Sequence, residues 1–200
     1  VHVRRVLFDG LRACGVELTE GGALHRFTAR AEVILCAGAL QSPQLLMLSG
    51  IGDGAELQRV GLPTLVHRPG VGKNLQDHCV VRFQTECTLE SSYNRRLTGW
   101  RKYFEGLRYV TTHTGYLTMP SSLAVALTKS DPAMEYGDLL FTFRPMTFAF
   151  DATGHAEVDR FPGLGATVYR VRPASRGEVV LASADPMVAP RFIPNFLQAD

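Results

Sequence analysis

The 200-residue sequence has no pair of cysteines at C-x-x-C spacing; its four cysteines stand at Cys14, Cys36, Cys79 and Cys87. With six histidines scattered rather than clustered, no zinc-type ligand set can be written, and no metal site is expected. No disulfide framework shows either, which fits a reducing compartment, so a cytoplasmic location is expected. No apolar run reaches the roughly 18 residues that span a bilayer. The opening VHVRRVLFDG has no signal-peptide core and reads as a strand. A net charge of +2 is too small to suggest a nucleic-acid or membrane surface. A phosphate loop is also missing. Gly72-Lys73 suggests one, but His67 stands where the loop needs its first Gly and Asn74 where it needs Ser or Thr. No initiator Met opens the chain, so a piece of something longer is expected.

What is present is ordinary for a globular chain: 46% hydrophobic and 20% charged residues, enough for one sizeable domain or parts of two. The most informative stretch is Glu32 to Gly52. Val33-Ile34-Leu35 is short, apolar and β-branched, as a buried strand would be. Cys36-Ala37-Gly38-Ala39 follows, four small residues that let the backbone approach something bulky. Ser42 and Pro43 then suit the start of a helix, as cap and first helical residue. Leu45, Leu46 and Leu48 would give that helix its buried side, and Gly50 its stop. Strand, small-residue turn and helix make a frequent setting for a nucleotide.

Before this stretch, Val3–Phe8 and Arg12–Leu18 read as a hairpin about Asp9-Gly10, with a third strand over Leu24–Ala29. After it, Asp53-x-x-Glu56 predicts a capping box for a short helix through Val60, ended by Gly61, and Thr64–His67 a brief strand. From Val80 the character shifts. Val80–Thr88 reads as a strand running into the polar stretch 90–96. Thr98 is expected to cap a helix that buries Trp100, Phe104 and Leu107 on one face. Strands are expected over Leu123–Thr128, Leu139–Phe143, Ala166–Arg172 and Glu178–Leu181, with Phe148–Pro162 as a loop. This second half reads as a mostly antiparallel sheet covered on one side. Phe141, Phe143, Phe148 and Phe150 are either core residues or the lining of a substrate pocket.

The wording of several segments goes further than their pattern. Gly38, Ala39, Ser42, Pro43, Leu45, Leu46, Ser49, Gly50, Ile51 and Gly52, at their spacing, resemble a sequence signature of the glucose–methanol–choline (GMC) family of FAD-dependent oxidoreductases. Pro69-Gly70-Val71-Gly72-Lys73-Asn74-Leu75-Gln76-Asp77-His78 is similar to a second family segment in the same order. The strand pair around Val3–Phe8, the run Gly115-Tyr116-Leu117-Thr118, and the run from Arg172 to Pro186 are also similar to the family's.

The resemblance implies an α+β (mixed α/β) chain: residues 1–79 as part of a GMC-type FAD-binding domain, and 80–200 as part of a substrate domain, with 173–200 opening the family's C-terminal region. It implies FAD as cofactor in a longer parent and a small-molecule alcohol (CH–OH donor) as substrate, with bacterial alcohol and choline dehydrogenases nearest in wording. Val3 would meet the adenine, Cys36, Ala37 and Gly38 would allow close approach of the cofactor, and Asn74, Asp77 and His78 would be further cofactor contacts. The bland alternatives stay open: Val3 as a plain strand residue, Asp77-His78 as structural.

The family's G-x-G-x-x-G turn, which holds the FAD pyrophosphate, does not occur in the sequence, nor does its C-terminal catalytic pair, a His with a second His or Asn. No catalytic residue is therefore expected among these 200, and tight FAD retention is not expected of the chain alone. A non-catalytic scaffold or interaction module, and a GMC-type oxidase or lyase, remain as alternatives. A strand at 33–35 without neighbours would also leave an edge open to self-association.

Overall fold

The structure is a computed structural model and describes residues 1–88, 92–120 and 122–199. The chain opens with strands β1 (His2–Asp9), β2 (Arg12–Glu20) and β3 (Ala23–Thr28), helix α1 (Gly38–Leu48), strand β4 (Ile51–Gly52), helix α2 (Gly54–Arg59) and strand β5 (Val66–His67). It continues with β6 (Val81–Glu86), α3 (Asn94–Leu97), α4 (Arg101–Thr112), β7 (Ala124–Thr128), β8 (Leu139–Arg144), β9 (Phe148–Phe150), β10 (Ala156–Val158) and β11 (Gly163–Arg170). Strands β12 (Glu178–Val180) and β13 (Arg191–Ile193) end it. Two compact units result: Val1–Asp77 together with the chain from Ala174 on, and His78–Pro173.

In the first unit β1, β2 and β3 form an antiparallel meander in that order, so β1 and β3 are its edges. Its centre is tied by charge. Glu17 on β2 stands opposite Arg5 on β1 and Arg26 on β3, 3.1 Å from the first and 2.9 Å from the second, with only 6% of its side chain exposed. The hydrogen bond from Arg5 is the largest influence on Glu17 and, with that from Arg26, outweighs burial, so the carboxyl is held below its usual pKa.

Below the meander, Met47 of α1, Leu57 of α2, and Val179 and Leu181 form the buried core, with Leu48, Val60, Leu62, Val71 and Leu75 packed around it. Gly72 shapes one wall of this core. Its φ of 79° is left-handed, and a Cβ there would drive into the Val179 carbonyl oxygen, while its own carbonyl accepts from Val179 N–H at 2.7 Å. Lys73 follows and bonds Glu56 at 2.6 Å and Glu178 at 2.5 Å. Burial opposes its charge, but the bonds to Glu178 and Glu56 prevail and hold its pKa above the usual value. Lys73 is thus a tie between α2 and β12.

Helix α1 is joined to the meander by one side chain. Ser49 Oγ accepts from Val6 N–H at 2.9 Å and donates to the Leu45 carbonyl at 2.6 Å. The hydroxyl at the end of the helix thereby occupies a backbone donor of edge strand β1.

Several expectations need correction here. Residues 32–36 form no strand; Ile34 is 73% exposed and Cys36 is exposed, not buried within a strand. A strand exists only through a partner, and among the described residues β4 pairs with β5 while nothing pairs with 33–35. Helix α1 begins at Gly38, so Pro43 lies inside it and Ser42 is no N-cap. Ser42 Oγ instead accepts from Ala37 N–H at 3.1 Å, one turn back. At α2, Asp53 does cap, taking Ala55 N–H at 2.9 Å and Glu56 N–H at 3.3 Å, but Glu56 turns to Lys73 and the box is half made.

The second unit centres on an antiparallel sheet in the order β6-β11-β8-β7. Asn94 is fully buried; its amide donates to the Thr147 hydroxyl at 2.9 Å and the Asp159 carbonyl at 3.0 Å, and accepts from Thr147 N–H at 3.0 Å. The stretch expected as a loop, 148–162, contains the β9–β10 hairpin. Phe148 and Phe150 meet edge-on at 5.4 Å with the Arg82 guanidinium over both rings, and Phe143 and Phe150 are exposed, so these phenyls form no closed core. Thr98 closes α3, donating to the Asn94 carbonyl at 2.6 Å, rather than capping α4. Helix α4 turns Trp100, Phe104 and Leu107 outward and buries Glu105, against the expectation of a buried apolar face. Part of the polar stretch 90–96 lies outside the described residues.

Two stability predictions follow from the first unit's ties. Ser49→Ala strands the Val6 N–H and is expected to cost about 1–3 kcal/mol in urea unfolding, with faster hydrogen exchange at Val6. For Glu17 the lowered pKa fixes the sign: its stabilisation is present above the usual carboxylate range and is lost as pH falls through the folded value. The urea-midpoint gap between wild type and Glu17→Gln is therefore expected to be widest near pH 7 and to close below about pH 4; a gap that stays constant with pH would contradict the assignment.

Candidate functional site

Three separate pieces of chain enclose a cavity of about 230 Å³ in the first unit. Val1, His2 and Val3 supply one side, at the start of edge strand β1. Ala37, the N-cap of α1, and Gln41, Gln44, Leu45 and Leu48 along that helix supply the second. Pro186, from the returning chain, supplies the third.

The pieces are held by polar ties at the cavity's rim. His2 Nε2 lies 2.9 Å from the Pro186 carbonyl, an acceptor, so this nitrogen carries the proton. The buried Gln44 donates its Nε2 to the Val188 carbonyl at 2.9 Å. One returning segment is thus stitched to β1 by a histidine and to α1 by a glutamine. The Ser49 bridge fixes β1 against α1 from the other end of the helix.

Strand β1 is irregular where the cavity begins. Val3 pairs with Leu18 and Arg5 with Glu17, so the register slips by one residue between them. Such a bulge re-aims the residues beside it, and bulges gather next to binding sites. Because β1 is an edge, its outer side has no ladder partner and offers backbone donors and acceptors to a ligand.

Of the residues singled out in the sequence, Val3 and Ala37 are brought to this cavity. Cys36 and Gly38 flank Ala37. Cys36 is an exposed thiol; Gly38 has a φ of 81° with open space where a Cβ would stand, so the helix starts with nothing blocking its approach. Neither Asn74 nor Asp77 lines the cavity. Asn74 takes a left-handed φ of 58° beside Leu75, whose N–H and carbonyl both bond Gly177, at 2.9 and 2.7 Å. His78 belongs to the second unit, where Nε2 lies 3.1 Å from the Val171 carbonyl and the ring packs 4.6 Å from Tyr169.

Sequence reasoning missed His2, Gln41, Gln44 and Pro186. A signal existed for the glutamines: Gln41, Gln44, Leu45 and Leu48 share a helical face once the helix is begun at Gly38 instead of Ser42. Pro186 ends a family-like run, but nothing local links it to this cavity, since its partner His2 is 184 residues away. A larger groove of about 800 Å³ lies in the second unit, bordered by Trp100, Arg101, Lys102 and Arg160. None of the motif residues reaches it. Among the described residues there is no group of His, Cys, Asp and Glu fit to hold a metal, and no helix long and apolar enough to cross a membrane.

With this geometry in view, the relatives are informative. Residues 1–80 match the model of the GMC oxidoreductase family. The mitochondrial choline dehydrogenase of Homo sapiens is 36% identical over 198 residues, covering 99% of this chain and 33% of that protein. The oxygen-dependent choline dehydrogenase of Brucella ovis is 36% identical over 194 residues, covering 97% of this chain and 35% of its own length. Among solved structures, formate oxidase of Aspergillus oryzae superposes with a TM-score of 0.86 at 27% identity, over 100% of this chain and 39% of that one. The chain spans about a third of the length of the curated relatives it matches. The family that the motifs resemble is the one whose model matches residues 1–80, and the choline dehydrogenase sequences and the formate oxidase fold align with nearly the whole chain.

Proposed function

We propose that the chain is the middle part of a longer FAD-dependent oxidoreductase that oxidises a small-molecule alcohol, and that its first unit forms the wall against the adenine end of FAD. The observation that carries this is the convergence on one cavity of Val3, in one motif segment, and Ala37, directly before another.

The cavity suits the group in size and chemistry. About 230 Å³ is below the roughly 300–1,000 Å³ of pockets that take a drug-sized ligand, so it admits one ring system and not a whole dinucleotide. Val3, Leu45, Leu48 and Pro186 give apolar walls for a flat base, and Gln41 and the edge of β1 give polar contacts around it. Cys36, Ala37 and Gly38 leave the start of α1 uncrowded. Asn74, Asp77 and His78 are assigned weaker roles in placing the cofactor, through the segment that joins the two units.

Bound FAD would supply the hydride acceptor for oxidation of the alcohol carbon. This chain's own part is to bind and orient one end of the cofactor, while the second unit contributes sheet to a substrate domain. No residue here is assigned to take the hydroxyl proton; that base is assigned to the remainder of the parent, as is the pyrophosphate contact. The outward apolar face of α4 supports such a remainder, because a helix that exposes Trp100, Phe104 and Leu107 calls for cover. Choline dehydrogenase relatives favour an alcohol as donor, and the oxygen-dependent and formate-oxidase names favour an oxidase as the second reading. All four cysteines are free thiols, which supports a reducing, cytoplasmic setting.

Mixing the purified chain with FAD tests this. FAD is expected to shift the amide resonances of Val3 and Ala37, to be displaced by adenosine, and to leave no stoichiometric yellow complex. Shifts confined to other residues, or a tight flavin complex, would overturn the assignment. We further propose that β1, β3 and the bare segment at Ile34 promote self-association of the isolated chain. Sedimentation should then show concentration-dependent oligomers, and a monodisperse monomer would contradict it.

A further inference from the structure

The cavity between β1 and α1 has three polar side chains on its lining, His2, Gln41 and Gln44. Two are committed. His2 Nε2 is held by the Pro186 carbonyl, and Gln44 is buried with its amide given to the Val188 carbonyl. Each spends one nitrogen on fixing the returning chain, His2 Nε2 on Pro186 and Gln44 Nε2 on Val188. Gln41 differs. It lies one turn before Gln44 on α1, lines the same cavity and is exposed, and its amide makes no hydrogen bond among the described residues.

An uncommitted primary amide on the rim of an otherwise apolar slot has one distinctive chemistry. It offers a donor and an acceptor side by side in a plane, matching a base that shows an amino group beside a ring nitrogen, as adenine does. Apolar walls from Val3 and Leu48 hold the ring's faces without distinguishing one purine from another. Discrimination must come from the edge, and Gln41 is the exposed lining side chain whose whole amide is uncommitted among the described residues.

We propose that Gln41 reads the base in this cavity: Oε1 accepts from the exocyclic amino group of adenine and Nε2 donates to the adjacent ring nitrogen. This rests on the assignment of the cavity to the adenine end of FAD, and adds to it the residue that selects the base. The backbone at Val3 positions the ring; Gln41 sets which ring is preferred.

The test compares adenosine with purine riboside, which lacks the 6-amino group, on the purified chain by amide chemical-shift titration. Wild type is expected to bind adenosine about tenfold more tightly than purine riboside, with shifts at Val3 and Ala37. Gln41→Leu keeps an exposed position filled and is expected to retain the wild-type spectrum and those shifts while the preference falls to near one. Gln41→Asn, with the same amide on a shorter stem, is expected to recover part of it. An unchanged preference in Gln41→Leu overturns the role of Gln41 and leaves the adenine assignment standing. A wild-type chain in which neither nucleoside shifts Val3 or Ala37 overturns both.

Discussion

The first unit depends on a single hydroxyl. Ser49 Oγ takes the Val6 N–H of an edge strand and gives its proton to the Leu45 carbonyl at the end of α1. An edge strand's outer donors need acceptors, and here one of them, Val6 N–H, is taken by the hydroxyl that closes a helix. That pair of bonds ties β1 to the end of α1. The space left at the other end of the two elements is the cavity, closed by the chain returning near Pro186. Gly72 and Lys73 serve the same unit from below. The glycine lets the loop come against Val179 where any side chain would collide, and the lysine joins two carboxylates across the core.

Much of this was legible in the sequence, and for physical reasons. The meander follows from turn glycines and alternating strands, and it lies where the pattern put it. A helix carrying Leu45 to Leu48 and stopping before Gly50 was readable, though not its start, and the motif wording pointed to the family whose model matches residues 1–80. What failed were inferences from local chemistry that tertiary context overrode. Val33-Ile34-Leu35 has strand composition, yet a strand needs a neighbour, and composition does not provide one. Ser42-Pro43 has the chemistry of a helix start, yet the helix begins four residues earlier, with Ser42 reaching back to Ala37. Helix α4 has a clear apolar stripe, but Glu105 faces the turn at Gly115 and the stripe faces out.

The site was half legible. Val3, within one motif, and Ala37, directly before another, meet at the cavity, whereas Asn74, Asp77 and His78 belong to a motif and do not line it. His2, Gln44 and Pro186 were invisible because their importance is a long-range contact. The chemistry a residue can do is local, but the atoms it does it to are chosen by the fold. The likeness to the family is what suggests a cofactor, and the proposed adenine site rests on the cavity where Val3 and Ala37 meet.

A structure of the longer parent protein with FAD bound would test the central claim most directly. The account predicts the adenine ring between Val3 and Ala37, within hydrogen-bond distance of the Val3 backbone and with its amino edge toward Gln41. An adenine ring held elsewhere, with this cavity filled by the protein's own side chains, would contradict it.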